Sequence, residues 1–329
     1  MTVSVSVVLP ALNERTSIHD AVASLAAQDY PYLVEIVVVD GGSVDGTREL
    51  AAAVDPRVRV VDNPRVTAAA AMNIGIDVAV GEVIVRADAH TTYASDYVRR
   101  CVEVLVETGA TNVGGPMRPV GTTTFGRAVA VVTTSPFGVG PGRFHYSESR
   151  EEVDTVYLGS WRRADLKDLG GYDETGLQWA AEDQELNLRI RESGGRVVLE
   201  PSIRSWYVPR ESPRALARQY FNYGVCKAST LQKHGRLPSW RPLAPVVLVG
   251  ASVAGFIFGR GPARFAVPVA HAAACAVMAA RTTLEPGASP PHIFEAVEIC
   301  HWSYGLGFWS GLIRIVTGRG FTSRPRGHR

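Results

Sequence analysis

Cysteine is scarce in this chain. There are four in 329 residues, at positions 101, 226, 275 and 300, and no Cys-x-x-Cys pair. That spacing supports neither a disulfide framework nor a zinc knuckle, and it fits reduced thiols in a cytosol-facing protein. A charge excess of one sign is missing too. Lys+Arg total 34 and Asp+Glu 32, a net charge of +2, which marks neither a nucleic-acid binder nor an acidic disordered chain. The sequence has no G-x-G-x-x-G and no G-x-x-x-x-G-K-[ST], so the usual motif support for NAD enzymes and P-loop kinases is absent. Glycine (32) and proline (20) are near average, which excludes collagen-like and low-complexity chains. There is no internal repeat. Met1–Pro10 lacks the basic start of a signal peptide and reads as a strand.

With 46% hydrophobic and 20% charged residues, the chain can build a sizeable core. Its charge is unevenly placed. Residues 1–241 hold 26 basic and 29 acidic side chains, residues 242–318 only seven charges, and residues 319–329 four arginines and no acid. Three parts are therefore expected: a mixed-charge domain over 1–240, an apolar helical region over 241–318, and a basic tail over 319–329.

Apolar periodicity predicts strands at Val3–Leu9, Glu35–Val39, Val58–Val61 and Glu82–Ala87. Between and after them it predicts helices at Thr16–Gln28, Asp45–Val54, Val66–Val80 and Ser95–Thr108. Four such alternations with short connections imply an α/β fold, a mostly parallel sheet with helices on both faces. In such sheets ligands bind beyond the carboxyl ends of the strands. Those ends are polar here: Pro10–Glu14, Asp40–Ser43, Asp62–Arg65 and Asp88–His90. Beyond residue 110 the alternation stops and a glycine- and proline-rich loop region is expected up to residue 142. Helices at Arg163–Leu169, Ala181–Ser193 and Pro213–His234 and a strand at Arg196–Glu200 follow.

Each polar cluster has a plain reading and a functional one. Asp40-Gly41-Gly42-Ser43 is either a capped turn or a place where a ligand approaches backbone and an acid accepts from a base or ribose. Asp88-Ala89-His90 is either a capped turn or a cation site. Residues two apart on an extended segment project to one side, and a carboxylate with an imidazole suits Mn2+ and tolerates Mg2+. Glu182-Asp183 is either an ordinary acidic first helical turn or a catalytic pair. Trp179 upstream could be an apolar wall or core. Arg218 and Asn222 are four apart on the Pro213–His234 helix, with Gln219 beside them and Tyr223 next. They form either a solvated face or a place to hold a diphosphate or anionic headgroup.

Taken together, the motifs are more specific. The opening VVLPALNE, then VVVDGGSVDGT, then N-x-G-x-x-x-A-x-G-E from Asn73 to Glu82, an acid after a strand and an ED pair opening a helix resemble an inverting family 2 glycosyltransferase of the GT-A fold. RADAH (86–90), SPFGVG (135–140), DTVYLGSWRR (154–163), EDQELNLRIRESGG (182–195) and RQYFNYG (218–224) bring the resemblance closest to the succinoglycan-biosynthesis type of membrane-associated transferase. It covers about residues 3–235.

The resemblance implies a UDP-sugar donor, with Pro10, Ala11, Asn13, Glu14 and Asp40 cradling the nucleotide and Arg65 and Asn73 on the same side. It implies that Asp88, with His90, holds a Mg2+ or Mn2+ ion, and that Asp183 is the general base. Glu182, Trp179, Arg218, Gln219 and Tyr223 would lie on the acceptor or diphosphate side. The third position of the usual D-x-D motif is His90. RQYFNYG stands where processive polymerases carry Q-x-x-R-W, which favours addition of a single sugar. The acceptor would be a polyprenyl-diphosphate-linked sugar or a glycan, and no nucleic acid would take part. A nucleotidyltransferase would want a glycine- and Lys/Arg-bearing loop after the first strand, and Pro10–Arg15 has no glycine. A non-catalytic nucleotide-sugar binder would not need Asp40, Asp88 and Asp183 together.

Leu243–Phe258, Ala263–Ala280 and Ile293–Val316 are apolar stretches. About 20 residues span a bilayer, so the first two are marginal. If both spanned, Arg260 and Arg264 would face outward, against the positive-inside rule. A shallow hairpin or interfacial helices remove that conflict. A nucleotide-sugar donor places the first 240 residues on the cytoplasmic side of the cell membrane.

Overall fold

The structure is a computed structural model and describes residues 2–140, 142–174, 182–235, 243–282 and 286–318. The described residues form two compact units. One lies within Met1–Arg118, Tyr146–Gln178 and Glu182–Tyr207, the other within Pro119–His145 and Val208–Arg329.

The first unit begins with β1 (Val5–Ala11), α1 (Ile18–Ala26), β2 (Leu33–Asp40), α2 (Thr47–Ala52), β3 (Val58–Asp62), α3 (Ala68–Val78) and β4 (Val83–Arg86). It continues through β5 (Thr91–Tyr93), α4 (Tyr97–Thr108) and β6 (Asn112–Gly115). Helices α5 (Thr124–Thr133) and α6 (Pro136–Val139) belong to the second unit. The first unit is completed by β7 (Glu151–Glu152), β8 (Tyr157–Arg162), α7 (Arg163–Asp168), α8 (Glu182–Glu192), β9 (Val197–Leu199) and β10 (Ser205–Tyr207). The second unit is completed by α9 (Pro213–His234), α10 (Leu243–Phe258), α11 (Ala266–Arg281) and α12 (Pro290–Val316).

The main sheet has the order β3-β2-β1-β4-β8-β6-β9-β7, and β5 pairs with β10 in a small second sheet. The four expected strands are present, and β3, β2, β1 and β4 pair in parallel. β1 does not stop at Pro10: Pro10 and Ala11 pair with Val39 and Asp40. The far half of the sheet is mixed, because β8 runs antiparallel between β4 and β6. Neither β6 nor β8 was legible in the sequence. Both carry glycine, which weakens a strand signal. Packing requires it: a Cβ on Gly115 would lie 1.9 Å from the Ile203 carbonyl oxygen.

Alternation along β1 explains the covering of both faces. Val5, Val7 and Leu9 pack with Ile18, Val22 and Leu25 of α1 and with Val98, Cys101 and Leu105 of α4. Val8 points the other way, to α3, which comes so close that a Cβ on Gly75 would stand 2.2 Å from Val8 Cγ1. Strands buried on both faces read as near-continuous apolar runs, as β1 and β2 do apart from Ser6 and Glu35, which hydrogen-bond to each other at 2.6 Å. The connection from β3 to β4 carries the chain across to the other side of β1. The switch point therefore lies between β1 and β4, where the loops that follow them diverge.

In the second unit, the expected loop region around 114–142 contains α5. Its Phe125, Val129 and Val132 are buried with Ile293, Ala296 and Val297 of α12, so tertiary burial overrides the β-branched local preference. Helix α9 starts as expected, with Ser212 Oγ accepting from the Ala215 N–H at 3.3 Å and Pro213 in its first turn. α9 and α12 meet at glycines: a Cβ on Gly307 would lie 2.0 Å from the Phe221 carbonyl oxygen. Only one stretch of the described residues, Gly261–Arg281, is long and apolar enough to cross a membrane. All four cysteines are buried, and no disulfide forms among the described residues. The basic tail at 319–329 lies outside the described residues.

Candidate active site

The loops that leave β1 and β2 are laced together. Asn13 adopts a left-handed φ of 54°. Its N–H donates to Ser43 Oγ at 2.8 Å, and its Oδ1 accepts from the Val44 N–H at 3.0 Å. The Glu14 N–H donates to Thr47 Oγ1 at 2.8 Å, and the Arg15 N–H to Asp45 Oδ2 at 3.1 Å. Asp40, fully buried at the end of β2, is the centre of the knot. Its Oδ2 accepts from the N–H groups of Gly42 and Ser43, both at 2.9 Å, and from Arg48 Nη1 at 3.1 Å; its Oδ1 accepts from Ser43 Oγ at 2.5 Å. Burial pushes the Asp40 pKa up, but the Ser43 bonds and Arg48 outweigh it and hold the carboxyl below its usual value. The structure thus gives Asp40 an organising place beneath the loop rather than an open carboxylate. Pro10 and Ala11 lie in the strand just before it.

At the switch point, β4 ends at Arg86. The segment Asp88–Thr91 is a turn closed by the Thr91 N–H donating to the Asp88 carbonyl at 3.2 Å. The expectation that Asp88 and His90 share one side rested on extended backbone, which is not what forms here. His90 Nδ1 instead lies 3.7 Å from Glu14 Oε1. Tyr93 fixes the Asp88 backbone: its hydroxyl accepts the Asp88 N–H at 2.7 Å and lies 3.2 Å from the Asp88 carbonyl.

Arg86, which sequence reasoning passed over, joins the parts. Its Nη2 donates to Glu182 Oε1 of α8 at 3.1 Å, and its Nε and Nη2 reach Asp88 Oδ1 at only 3.4 and 3.5 Å. Asp183 interacts electrostatically with the same guanidinium. Burial opposes the charge on Arg86, yet Asp88, Glu182, Tyr172 and Asp183, in that order, hold it well above its ordinary pKa. One buried cation therefore ties the acid after β4 to Glu182 at the start of α8, and Asp183 adds to its electrostatic surroundings. The available signal was the arginine in RADAH, a charge in the last position of an otherwise apolar central strand.

Helix α8 is fixed by polar contacts along its buried side. Asn187 Oδ1 accepts from Asn112 Nδ2 of β6 at 2.7 Å, and Asn187 Nδ2 donates to Thr155 Oγ1 at 2.9 Å. Arg189 pairs with the buried Glu185 and donates to the carbonyls of Leu169 and Gly171, both at 2.6 Å. Asp183, four residues before Asn187, is half-buried, and its Oδ1 accepts from the Gln184 N–H at 2.8 Å. Glu182 is buried against Arg86, so it serves an ion pair. Asn73 and Arg65 hold the strand of chain that leads towards α8. Asn73 donates to the Tyr172 carbonyl at 2.9 Å and to Glu174 Oε1 at 2.8 Å, and Arg65 Nη1 pairs with Glu174 Oε2 at 2.9 Å. Trp179 lies outside the described residues. Arg218, Gln219 and Tyr223 are on α9 in the second unit, where Gln219 Nε2 donates to Tyr223 Oη at 3.1 Å.

Comparison with known proteins places this geometry. The profile of "Glycosyl transferase family 2" matches residues 6–153. The succinoglycan biosynthesis protein ExoA of Rhizobium meliloti is 33% identical over 318 residues, covering 93% of this chain and 94% of its own. The chain belongs to glycosyl transferase family 2. It is a glycosyltransferase, with relatives in polysaccharide biosynthesis. A second relative is the dolichyl N-acetyl-alpha-D-glucosaminyl phosphate 3-beta-D-2,3-diacetamido-2,3-dideoxy-beta-D-glucuronosyltransferase of Methanococcus voltae. It is 24% identical over 240 residues, 70% of this chain and 74% of that one. Among solved structures, the mannosyltransferase PcManGT from Pyrobaculum calidifontis, solved with GDP-Man and Mn2+, superposes with a TM-score of 0.59 at 22% identity. The match covers 92% of this chain and 88% of that one. The fold is thus the mixed α/β, GT-A-like sheet with helices that the motifs implied. In this glycosyltransferase the switch point lies where the polar loops of β1, β2 and β4 meet.

Proposed function

We propose that this glycosyltransferase moves a sugar from UDP to a hydroxyl of a lipid-linked or polysaccharide acceptor, with inversion. The observation that carries the reading is the meeting of Asp88 and Glu182 on the buried Arg86 at the switch point, with Asp183 next to Glu182 in the first turn of α8. Asp183 is the general base: its carboxylate takes the acceptor's hydroxyl proton as that oxygen attacks the anomeric carbon. A new C–O bond forms while the bond to the diphosphate breaks, and UDP carries away the electron pair. One displacement needs one base and no protein nucleophile. Arg86 and Glu182 position the two functional acids, and Asn187 and Arg189 keep α8 from shifting. The laced loops from Ala11 to Glu14 and from Gly41 to Ser43, set by Asp40, form the nucleotide platform, flanked by Arg65 and Asn73.

The side chains at Asp88 suit a hard divalent cation. The carboxylate makes only long contacts to Arg86, and an imidazole, His90, follows two residues on, with Glu14 beside it. Asp88, with His90, would hold Mg2+ or Mn2+, which supplies charge neutralisation to the departing diphosphate. PcManGT, solved with Mn2+, supports this reading.

We assign residues 1–240 to the transferase domain, 241–318 to membrane-associated helices and 319–329 to a basic tail. Exposed Val247, Phe256, Ile257, Val269 and Val277 on α10 and α11 support a place at the cell membrane; the catalytic domain would face the cytoplasm, where a nucleotide-sugar donor is supplied. The acceptor would be a polyprenyl-diphosphate-linked sugar, in exopolysaccharide or cell-envelope glycan synthesis. The dolichyl-phosphate relative favours a lipid-linked acceptor. Arg218, Gln219 and Tyr223 of α9 serve the acceptor or diphosphate side. Isothermal titration with UDP and GDP, each with and without Mn2+, tests the site. Manganese-dependent UDP binding is expected, and preference for GDP would overturn the donor assignment.

A further inference from the structure

Apart from the site above, His, Cys and carboxylate side chains of the described residues converge in one place. His271 and Cys275 of α11 and His301 of α12 bring their ligand atoms within 4.8 Å of one another. The spacing is helical. His271 and Cys275 are four apart and share a face of α11; Glu298 and His301 are three apart and share a face of α12.

The hydrogen bonds in this cluster do not balance. His301 Nε2 lies 3.1 Å from the Phe137 carbonyl oxygen. A carbonyl only accepts, so Nε2 carries the hydrogen and Nδ1 is a lone pair. That lone pair faces His271 Nε2 at 2.9 Å, and Cys275 Sγ lies 3.5 Å from the same nitrogen. The other nitrogen of His271, Nδ1, is 3.0 Å from Glu298 Oε1, a buried oxygen without a well-formed hydrogen bond, and the Cys275 thiol also interacts with Glu298. Glu298 Oε2 is already taken by Trp302 Nε1, at 2.8 Å. Neutral His271 has one ring proton for both sides. On Nδ1 it serves the carboxylate and leaves two lone pairs 2.9 Å apart. On Nε2 it serves His301 and leaves a lone pair against a carboxylate. Either way the cluster lacks one positive centre, which is costly away from water.

We propose that this cluster is a binding site for one divalent ion of the zinc class. Its ligands are His271 Nε2, His301 Nδ1 and Cys275 Sγ, the thiol proton passing to solvent on binding. The His271 Nδ1–H then turns to Glu298, and the His301 Nε2–H stays on the Phe137 carbonyl. A carboxylate on one imidazole and a backbone carbonyl on the other are the outer partners that orient metal-bound histidines. Two imidazoles and a thiolate match zinc rather than magnesium or calcium. The thiolate and Glu298 together cancel the ion's charge, so a neutral unit is buried among apolar helices. Zinc–nitrogen and zinc–sulfur bonds of about 2.0 and 2.3 Å give ligand–ligand edges of roughly 3.3–3.6 Å. The present 2.9 and 3.5 Å separations need little spreading to meet that. A fourth position stays open for water. The ion would clip α11 to α12 and, through Phe137, to α6.

The full-length chain, purified in detergent and dialysed against Zn2+ and then against buffer, is measured for zinc by elemental analysis, and the same chain is titrated with Co2+. About one zinc per chain and a thiolate-to-cobalt charge-transfer band are expected. Cys275→Ser should abolish that band, and Glu298→Gln should weaken zinc binding roughly 10–100-fold. Asp88→Asn should leave the cobalt band intact, which separates this ion from the one proposed for catalysis. A wild-type chain that takes up no zinc, a cobalt complex without the thiolate band, or zinc binding unchanged in Cys275→Ser overturns the proposal. The missing positive centre would then be a proton shared by the two imidazoles.

Discussion

Asp40 ends β2 and Asp88 lies just after β4, the strands that flank β1 in parallel, and their surroundings are opposite. Asp40 is buried, and four short donors fill its lone pairs: two backbone N–H groups, a hydroxyl and Arg48. Asp88 is partly open, and Arg86 stands off from it at 3.4–3.5 Å because its nearer contact is Glu182. A carboxylate whose acceptor sites are filled by its own loop fixes that loop. One held loosely by a cation that also serves another acid keeps capacity for a ligand. Strand-end position alone therefore does not say which acid does chemistry; the number and length of its contacts do.

Substitutions can break or sharpen this contrast. The largest effect is expected at the base. Asp183→Asn keeps shape but cannot accept a proton, and should cut transfer by roughly 10²–10⁴ while UDP affinity stays within about twofold. Assays of UDP release together with calorimetry separate the two, and near-normal turnover would remove the base assignment. Glu182→Gln should cost transfer far less, since Glu182 faces Arg86.

Asp88→Asn comes next. UDP binding should lose its response to Mn2+, while the urea midpoint moves little, because only long contacts are lost. A large loss of stability with intact Mn2+ dependence would mean that Asp88 is the structural acid of the two.

Arg86→Met strands Glu182 in a buried site, and breaking such a pair costs about 3 kcal/mol or more. Denaturant melts of the full-length chain should show it. If they do not, the guanidinium does not hold the corner together.

The smallest effect is expected for Asp40→Asn, about 2 kcal/mol from lost charged hydrogen bonds. It carries a pH signature. The folded-state pKa of Asp40 is lowered, so its stabilisation is fully present above the unfolded value of about 3.9 and is lost as pH falls through the folded one. The stability difference between wild type and Asp40→Asn should accordingly shrink below about pH 4. A difference independent of pH would argue that the Asp40 charge is not what ties the loop.

Much of the first unit was legible in the residues. Short valine- and isoleucine-rich runs between turn residues read as strands, and the helices between them carry apolar residues at 3.6-residue spacing. The alternation fixed the parallel half of the sheet, the polar ends of its strands, and hence where a ligand would bind. The apolar bounds of α10 were likewise set by composition. Tertiary structure alone decided the rest. The glycines of β6 are needed because the Leu158 and Ile203 carbonyls approach too closely for a side chain, and that of β8 because the Trp161 ring does, facts with no local signal. α5 is a helix because α12 covers it. The Asp88 turn replaces an extended segment because Tyr93 and the Thr91 N–H hold its backbone. The joining of Asp88 to Glu182 through Arg86 links residues about a hundred positions apart. Such a contact depends on which helix end the sheet brings beneath which strand, and no local pattern encodes that.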